Sequence, residues 1–479
     1  MKILLTVPPD REALTLEKEK DIAHGMGIYP PLGILYVAAY LKKNSEHEVY
    51  ILDPDSEKLR LKDIKERIKE INPDIFGITT FTNTLKTVVD ELKIVKEILP
   101  SCITVMGGPH LSLYPKEAIK IKEVDFAING DGEKAFFELI TILNKKLSDK
   151  ERENELKKVE GMVFQSSDGQ VYQNGYARVM DLNSLPFPDI TLIKKELYFC
   201  ILGKKKLMTT IATARGCPFK CTFCNSPDKT YRFRSAQNIV DEMEYVLSHG
   251  VTEIFFFDDL FNLNKNRVME VCDEIIKRKL HKKITWSFRG RVNSLKHEEV
   301  VKRLKEAGCE RIQLGIEKAT DESLKKLKKG ITIKEIIQST DLIYKYGILC
   351  VGNFILFTPG EDEEDAEEIV KFSLKLKLHH AEFHIFAPYP GSEIYQNGLE
   401  TKFFKKDYWA EYAENPHDDF SLLWEEKVPR DRMFEIANNA YKRFYFRPRI
   451  IWNELKGLSS WSEFVRKFKG GLTVLKLKS

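Results

Sequence analysis

The chain has 479 residues, enough for about two to four domains. Its 43% apolar and 31% charged residues are the balance of a globular protein, which argues against a disordered or membrane-embedded chain. A net charge of +4 gives no basis for general polyanion binding, so no nucleic-acid partner is expected.

Met1-Lys-Ile-Leu-Leu-Thr is short, apolar and without a cleavage pattern, so it reads as a first strand rather than a signal peptide. Residues 1–145 alternate β-like runs with amphipathic stretches. Strands are predicted at Lys2–Val7, Val49–Asp53, Ile75–Thr79, Ile103–Gly107 and Phe126–Asn129, with helices between them. That alternation predicts a doubly wound parallel sheet, whose ligands bind beyond the carboxyl ends of the strands. The loops expected there are Thr79–Thr84, Gly107-Gly-Pro-His110 and Gly130-Asp-Gly-Glu133. Residues 146–195 read as a linker with a hairpin turned at Ser166-Ser-Asp-Gly169 and closed by Leu185-Pro-Phe-Pro-Asp189.

Residues 196–395 repeat the β-α unit about six times, with strands predicted at Met208–Thr213, Glu253–Asp258, Ile284–Arg289, Arg311–Gly315, Leu349–Leu356 and Ala381–Phe386. Six units predict a partial (β/α)6 barrel with its chemistry at the carboxyl ends of the strands. Residues 396–479 read as a helical, aromatic-rich extension. Residues 441–479 hold ten Lys or Arg and two Asp or Glu, a net of +8 against −4 for the rest. This tail reads either as helix packed on the barrel with a solvated basic face, or as a contact for an anionic membrane surface. No apolar run is long enough to span a membrane, and a reduced, cytoplasmic setting is expected, with peripheral membrane contact as the variant.

Directly after the first barrel strand comes Arg215-Gly-Cys-Pro-Phe-Lys-Cys-Thr-Phe-Cys-Asn225. Cys217, Cys221 and Cys224 put three thiols in one loop. A structural zinc site takes four protein ligands, and a zinc knuckle would need a second Cys or His pair, which does not follow between Asn225 and His249. Three thiolates on a cubane iron–sulfur cluster leave one iron open to a small molecule. The other five cysteines, Cys102, Cys200, Cys272, Cys309 and Cys350, lack motif spacing and read as buried small hydrophobes. Polar groups recur at the later strand ends: Asp258-Asp259, Arg289-Gly-Arg291, Glu317, Asn353 and Ala387-Pro-Tyr-Pro-Gly-Ser392. Carboxylates suit an ammonium or ribose hydroxyls, and arginine suits a carboxylate.

The cysteine loop resembles the signature of the radical S-adenosylmethionine (SAM) superfamily. The resemblance implies a [4Fe-4S] cluster on Cys217, Cys221 and Cys224, SAM on its open iron, and reductive cleavage to a 5'-deoxyadenosyl radical. It implies SAM contacts at Phe223, Asp258, Arg289 and Glu317. Lys318 follows Glu317 where such proteins more often carry a small residue. The strand-end strings extend the resemblance over the whole barrel, toward the branch shared by cobalamin-dependent enzymes and methylthiotransferases. Methylthiotransferases bring three further cysteines upstream, whereas residues 1–199 here contain only Cys102.

The first domain instead resembles the cobalamin-binding domain of class B radical SAM enzymes, on Tyr29-Pro-Pro-Leu-Gly-Ile-Leu-Tyr-Val-Ala-Ala-Tyr40 and the two glycine loops. It implies cobalamin contacts at Thr80, Gly107, Gly108, Pro109, His110, Gly130, Gly132 and Glu133. There is no Asp-x-His-x-x-Gly string, and His24 and His47 lie outside the candidate loops, so the lower cobalt face is expected without a histidine. The tail run Tyr441-Lys-Arg-Phe-Tyr-Phe-Arg-Pro-Arg-Ile-Ile-Trp452 resembles that of porphyrin-ring cyclase and lipid-modifying members. The implied function is C-methylation of an unactivated carbon in a small molecule or lipid through methylcobalamin, with a ferredoxin or flavodoxin as electron donor. Oxidative cyclisation or rearrangement of a porphyrin-like or lipid substrate is the alternative with the same cofactors. A non-catalytic corrinoid-binding partner is the alternative of another class.

Overall fold

The computed structural model describes residues 1–9, 27–203 and 207–456. His24 and the tail beyond Lys456 lie outside the described residues. The chain forms two compact units. Among the described residues, unit one holds 1–9, 28–198 and 401–421, and unit two holds 27, 199–203, 207–400 and 422–456.

Unit one is built on seven strands: β1 (Lys2–Thr6), β2 (Glu48–Leu52), β3 (Ile75–Thr79), β4 (Ile103–Gly107), β5 (Phe126–Ile128), β6 (Met162–Gln165) and β7 (Val171–Gln173). They lie in the order β2-β1-β3-β4-β5-β6-β7. The first five are parallel and follow the flavodoxin-like order, with the topological switch between β1 and β3. The hairpin expected in the linker is present as β6 and β7, and it extends this sheet antiparallel from β5. The strands are nearly continuous apolar runs, as a sheet covered on both faces requires. Ile3, Leu5, Ile75, Val105 and Ile128 join Ala38 and Leu41 of helix Leu32–Asn44 and Leu139 of helix Gly132–Leu143 in one core.

Unit two contains β8 (Met208–Ile211), β9 (Glu253–Phe256), β10 (Thr285–Gly290), β11 (Cys309–Glu317), β12 (Leu349–Leu356) and β13 (His380–Ile385). All are parallel and lie in sequence order, so each crossover returns beside the strand it left. Between them run the helices Ala236–Ser248, Lys265–Lys277, Glu298–Glu306, Ile333–Lys345 and Glu363–Lys375. Phe256, Phe261, Trp286 and Phe288 stack together under the early strands, with ring centroids 4.8–5.9 Å apart. This is the expected six-stranded partial barrel.

An open parallel sheet leaves the donors and acceptors of its last strand unpaired. Here helix Arg430–Tyr445 runs along β13 and supplies the partners. The Phe383 N–H donates to the Tyr441 hydroxyl (3.1 Å), and the Ala381 N–H donates to that of Tyr445 (3.3 Å). The Tyr445 hydroxyl in turn donates to the Ala381 carbonyl at 3.1 Å. Tyr441 and Phe444 are buried, so this part of the tail packs on the barrel, whereas Phe446, Ile451 and Trp452 remain exposed. No helix among the described residues is long and apolar enough to cross a membrane. Tyr441→Phe is expected to leave a buried N–H without its acceptor and to cost about 1–3 kcal/mol, read from the shift in the urea unfolding midpoint.

Candidate active site

Residues that follow β9, β10, β11 and β13 contribute to holding the cysteine loop. The loop leaves β8 through Thr213, and its entry is fixed by Asp258 at the end of β9. The N–H groups of Thr213 (2.6 Å) and Ala214 (3.0 Å) donate to Oδ1 of Asp258, and the Thr213 hydroxyl donates to Oδ2. Arg267 closes the arrangement, donating from Nη2 to the Thr213 carbonyl (2.9 Å) and hydroxyl (2.6 Å). Burial raises the Asp258 carboxyl pKa against the pull of Arg267. Asp258, expected to meet SAM, is thus enclosed and committed to the chain, and Asp259 beside it is exposed. A carboxylate that terminates a strand can cap backbone N–H groups as readily as bind a ligand, and here it caps.

Further on, Gly216 takes φ +81°, and a Cβ there would collide with the Thr230 carbonyl. The loop is then stitched to three other segments. The Cys217 N–H donates to the Asp228 carbonyl (3.0 Å), the Thr222 N–H to the Leu327 carbonyl (3.1 Å), and the Ile394 N–H to the Thr222 carbonyl (3.0 Å). Along it Cys221 is buried, Cys217 partly so, and Cys224 exposed. Burial pushes the Cys217 thiol up, and the nearby Asp259, Cys224 and Cys221 push the same way. Among the described residues no three His, Cys, Asp or Glu converge as ligands of a single ion. Donors already face the sulfurs: Arg291 Nη1 is 3.4 Å from the Cys221 Sγ, and the Ser226 N–H is 3.5 Å from that of Cys224.

Glu317 ends β11 at a register shift with a left-handed φ of 70°. Its carboxylate is buried and paired at 2.6 Å with Lys329, whose Nζ also lies 5.6 Å from the centre of the Phe223 ring. Two residues earlier, Gly315 leaves room for this pair, since a Cβ there would stand 2.7 Å from the Lys329 Nζ. Lys318 points elsewhere, into a buried pair with Glu361 at 2.6 Å. Arg289 is exposed at the end of β10, over Phe255 and Phe257, with its Nε 3.3 Å from the Gln313 Oε1. Gln313 passes the contact on to Asn353 (3.2 Å) and Glu382 (3.0 Å), and His384 lies 3.5 Å from Glu382. Burial alone would raise the Glu382 carboxyl, but the His384 hydrogen bond together with the charges of His384, Arg289 and His380 outweighs it and holds the carboxyl below its ordinary value. Of this polar row across four strands, Arg289 and Asn353 are strand-end groups legible in the sequence, whereas the link through Gln313 to Glu382 and His384 was not singled out. Its signal is a polar residue at alternate positions of strands that pack as apolar runs.

In unit one the candidate residues gather at the carboxyl ends of β3, β4 and β5, but several serve the chain itself. The Thr80 N–H donates to the Gly107 carbonyl (2.8 Å), and the His110 N–H donates to the Thr80 carbonyl (3.1 Å). Gly108, at φ +97°, allows this crossing, because a Cβ would lie 2.6 Å from the Thr80 nitrogen. Gly130 similarly accommodates Ala177, and Glu133 is buried. Thr80 and His110 are fully enclosed, with the Thr80 Oγ1 and His110 Nε2 lacking partners among the described residues. The surface left open is formed by Phe81, Gly107 and Pro109, with Gly132 partly exposed. Nothing lies within 4 Å of where a Gly107 Cβ would be.

A flavodoxin-order domain joined to a partial parallel barrel that carries a three-thiol loop at the end of its first strand defines a two-cofactor class of α/β enzyme. Residues 211–373 match the Radical SAM superfamily, and residues 21–140 match the B12 binding domain. A Pyrococcus horikoshii protein named "Uncharacterized methyltransferase PH0819" is 31% identical over 95% of this chain and 95% of its own. The anaerobic magnesium-protoporphyrin IX monomethyl ester cyclase of Rubrivivax gelatinosus is 28% identical over 88% of this chain and 74% of its own. The structure of the radical SAM methyltransferase TsrM from Kitasatospora setae, with cobalamin and a [4Fe-4S] cluster, matches in fold at a TM-score of 0.71. It is 17% identical and covers 94% of this chain and 89% of that one. The chain belongs to the cobalamin-binding radical SAM enzymes.

Desolvation of His110 lowers its pKa from the ordinary 6.5 to about 4. The unfolded chain therefore takes up the proton at a pH where the native chain resists it, and stability rises with pH across that window. Wild type is expected to lose about 3 kcal/mol more than His110→Gln between pH 6.5 and 4, measured by urea unfolding at each pH.

Proposed function

We propose that this chain is a cobalamin-dependent radical SAM C-methyltransferase acting on an unactivated carbon of a small molecule. The observation that carries the reading is the three-thiol loop, braced by Asp258, with the Glu317–Lys329 pair beside its Phe223. The donor set fits the cluster: Cys217, Cys221 and Cys224 would hold three irons and leave one open. Phe223 would lie against the adenine of SAM, and Arg289 would take its carboxylate. The Glu317–Lys329 pair offers both signs of charge to its polar end. Asp258 acts from beneath by holding the loop.

The corrinoid fits unit one through the open edge at Phe81, Gly107, Pro109 and Gly132. His110 is enclosed, which supports a lower cobalt face without imidazole. When bound, the cluster with SAM supplies radical initiation and the corrinoid supplies the methyl group. The chain would orient these groups at the strand ends. Reduction would come from a ferredoxin- or flavodoxin-type donor. The 28% identical cyclase favours a second reading, oxidative ring closure with the same cofactors.

The test is anaerobic reconstitution with iron, sulfide and cobalamin, then reduction with SAM and mass spectrometry. Wild type is expected to give 5'-deoxyadenosine with bound corrinoid, and Cys221→Ala to give at least about 100-fold less, since a radical initiation step has no substitute in the chain. S-adenosylhomocysteine beside it would support methyl transfer, and its absence would favour cyclisation. Deoxyadenosine without bound corrinoid would overturn the reading of unit one.

Peripheral contact with an anionic membrane is part of the proposal, supported by Phe446, Ile451 and Trp452 standing exposed beside a basic tail. Because Tyr441 and Phe444 pack on the barrel, the informative truncation falls after Lys456 rather than at 441. Full-length protein is expected to float with anionic liposomes and the truncated chain to float less; equal flotation removes the basic tail as the contact.

A further inference from the structure

Arg291 leaves β10 just beyond Gly290 and turns into the protein rather than toward solvent, at 7% exposure. Its backbone N–H is held by the Asn262 Oδ1 at 3.0 Å, and its Nε donates to the Asn293 Oδ1 at 3.0 Å. The guanidinium carbon lies over the ring of Phe219 of the cysteine loop, 3.8 Å from its centroid. Nη1 reaches the Cys221 Sγ at 3.4 Å, and Nη2 has no partner among the described residues. No carboxylate pairs with it among those residues. A guanidinium cannot shed its charge, and a buried cation without an anion is costly. Of the groups it addresses, the cysteine sulfur is the one that can carry a negative charge, being neutral as a thiol and anionic as a ligand.

We infer that Arg291 is a positioning residue for the iron–sulfur cluster. It holds Cys221 in place through Phe219 and neutralises the ligand sulfur, so that it sets the potential at which the cluster accepts its electron. This rests on the proposed cluster site. Adding an electron makes the cluster more anionic, so a fixed cation and donor beside one ligand stabilises the reduced state and raises the midpoint potential. A planar fork stacked on an aromatic ring suits this role in a way an ammonium does not. Arg289, two residues earlier, points to the Gln313 row instead, so the two guanidiniums have separate duties.

The experiment is a redox titration of the reconstituted holoenzyme, followed by electron paramagnetic resonance, for wild type, Arg291→Gln and Arg291→Lys. Iron and sulfide are counted per chain first. With a full cluster in each, Arg291→Gln is expected to shift the reduced-to-oxidised ratio at fixed potential at least tenfold toward oxidised. That is about 59 mV more negative for a one-electron couple. Arg291→Lys should fall between the two. An unchanged midpoint in a fully loaded Arg291→Gln overturns the inference while leaving the cluster site standing. If Arg291→Gln takes up no cluster, Arg291→Lys decides: a more negative midpoint supports the inference, and an unchanged one overturns it. A wild type that takes up no cluster overturns the site itself, and the inference with it.

Discussion

A buried carboxylate decides where the first barrel strand stops and the cysteine loop begins. Asp258 collects two backbone N–H groups and the Thr213 hydroxyl, and Arg267 supplies the compensating charge. Without it, the N–H groups of Thr213 and Ala214 would be buried with no acceptor just where the chain leaves the sheet. Everything the loop does downstream is referred to that point. Gly216 turns, Cys217 hangs on the Asp228 carbonyl, and Thr222 is tied to the segments after β11 and β13. Three thiols in a flexible loop would have to be gathered by the metal at the expense of chain entropy. Tied at four places, much of that ordering is already complete on folding.

The same economy recurs in unit one. The ends of β3 and β4 cross at Thr80, Gly108 and His110, and the crossing needs a residue without a side chain at its centre. A rigid strand-end ledge results, with Phe81, Gly107 and Pro109 on its open side. The backbone groups of Thr80 and His110 hold this ledge together, while the Thr80 Oγ1 and His110 Nε2 beneath it have no partner among the described residues.

Much of this was legible in the sequence because it is periodic or spaced. Alternating apolar runs and amphipathic stretches gave both parallel sheets, and Cys-x3-Cys-x2-Cys located the chemistry at a strand end. What could not be read was which way a polar residue at a strand end faces. Asp258 and Glu317 follow their strands alike, yet the first is locked to backbone while the second meets Lys329 near Phe223. Arg289 and Arg291 are two residues apart, and only the turn after Gly290 sends one to the barrel row and the other to the cysteine loop. Thr80 and His110 fall in the expected loops but are closed over by neighbours that no local pattern reveals. Residues 401–421 show the same limit at larger scale, since their helical pattern carries no sign that they fold with the first unit.

The tyrosine hydroxyls along β13 have a further consequence for how such a barrel can diversify. A parallel sheet that stops at six strands could in principle recruit a seventh, from its own chain or from another molecule. Here the groups a newcomer would need are already taken by side chains of a helix, which cannot itself be extended by strand pairing. An edge closed in this way fixes the strand number on this side of the sheet, whatever chain follows the helix.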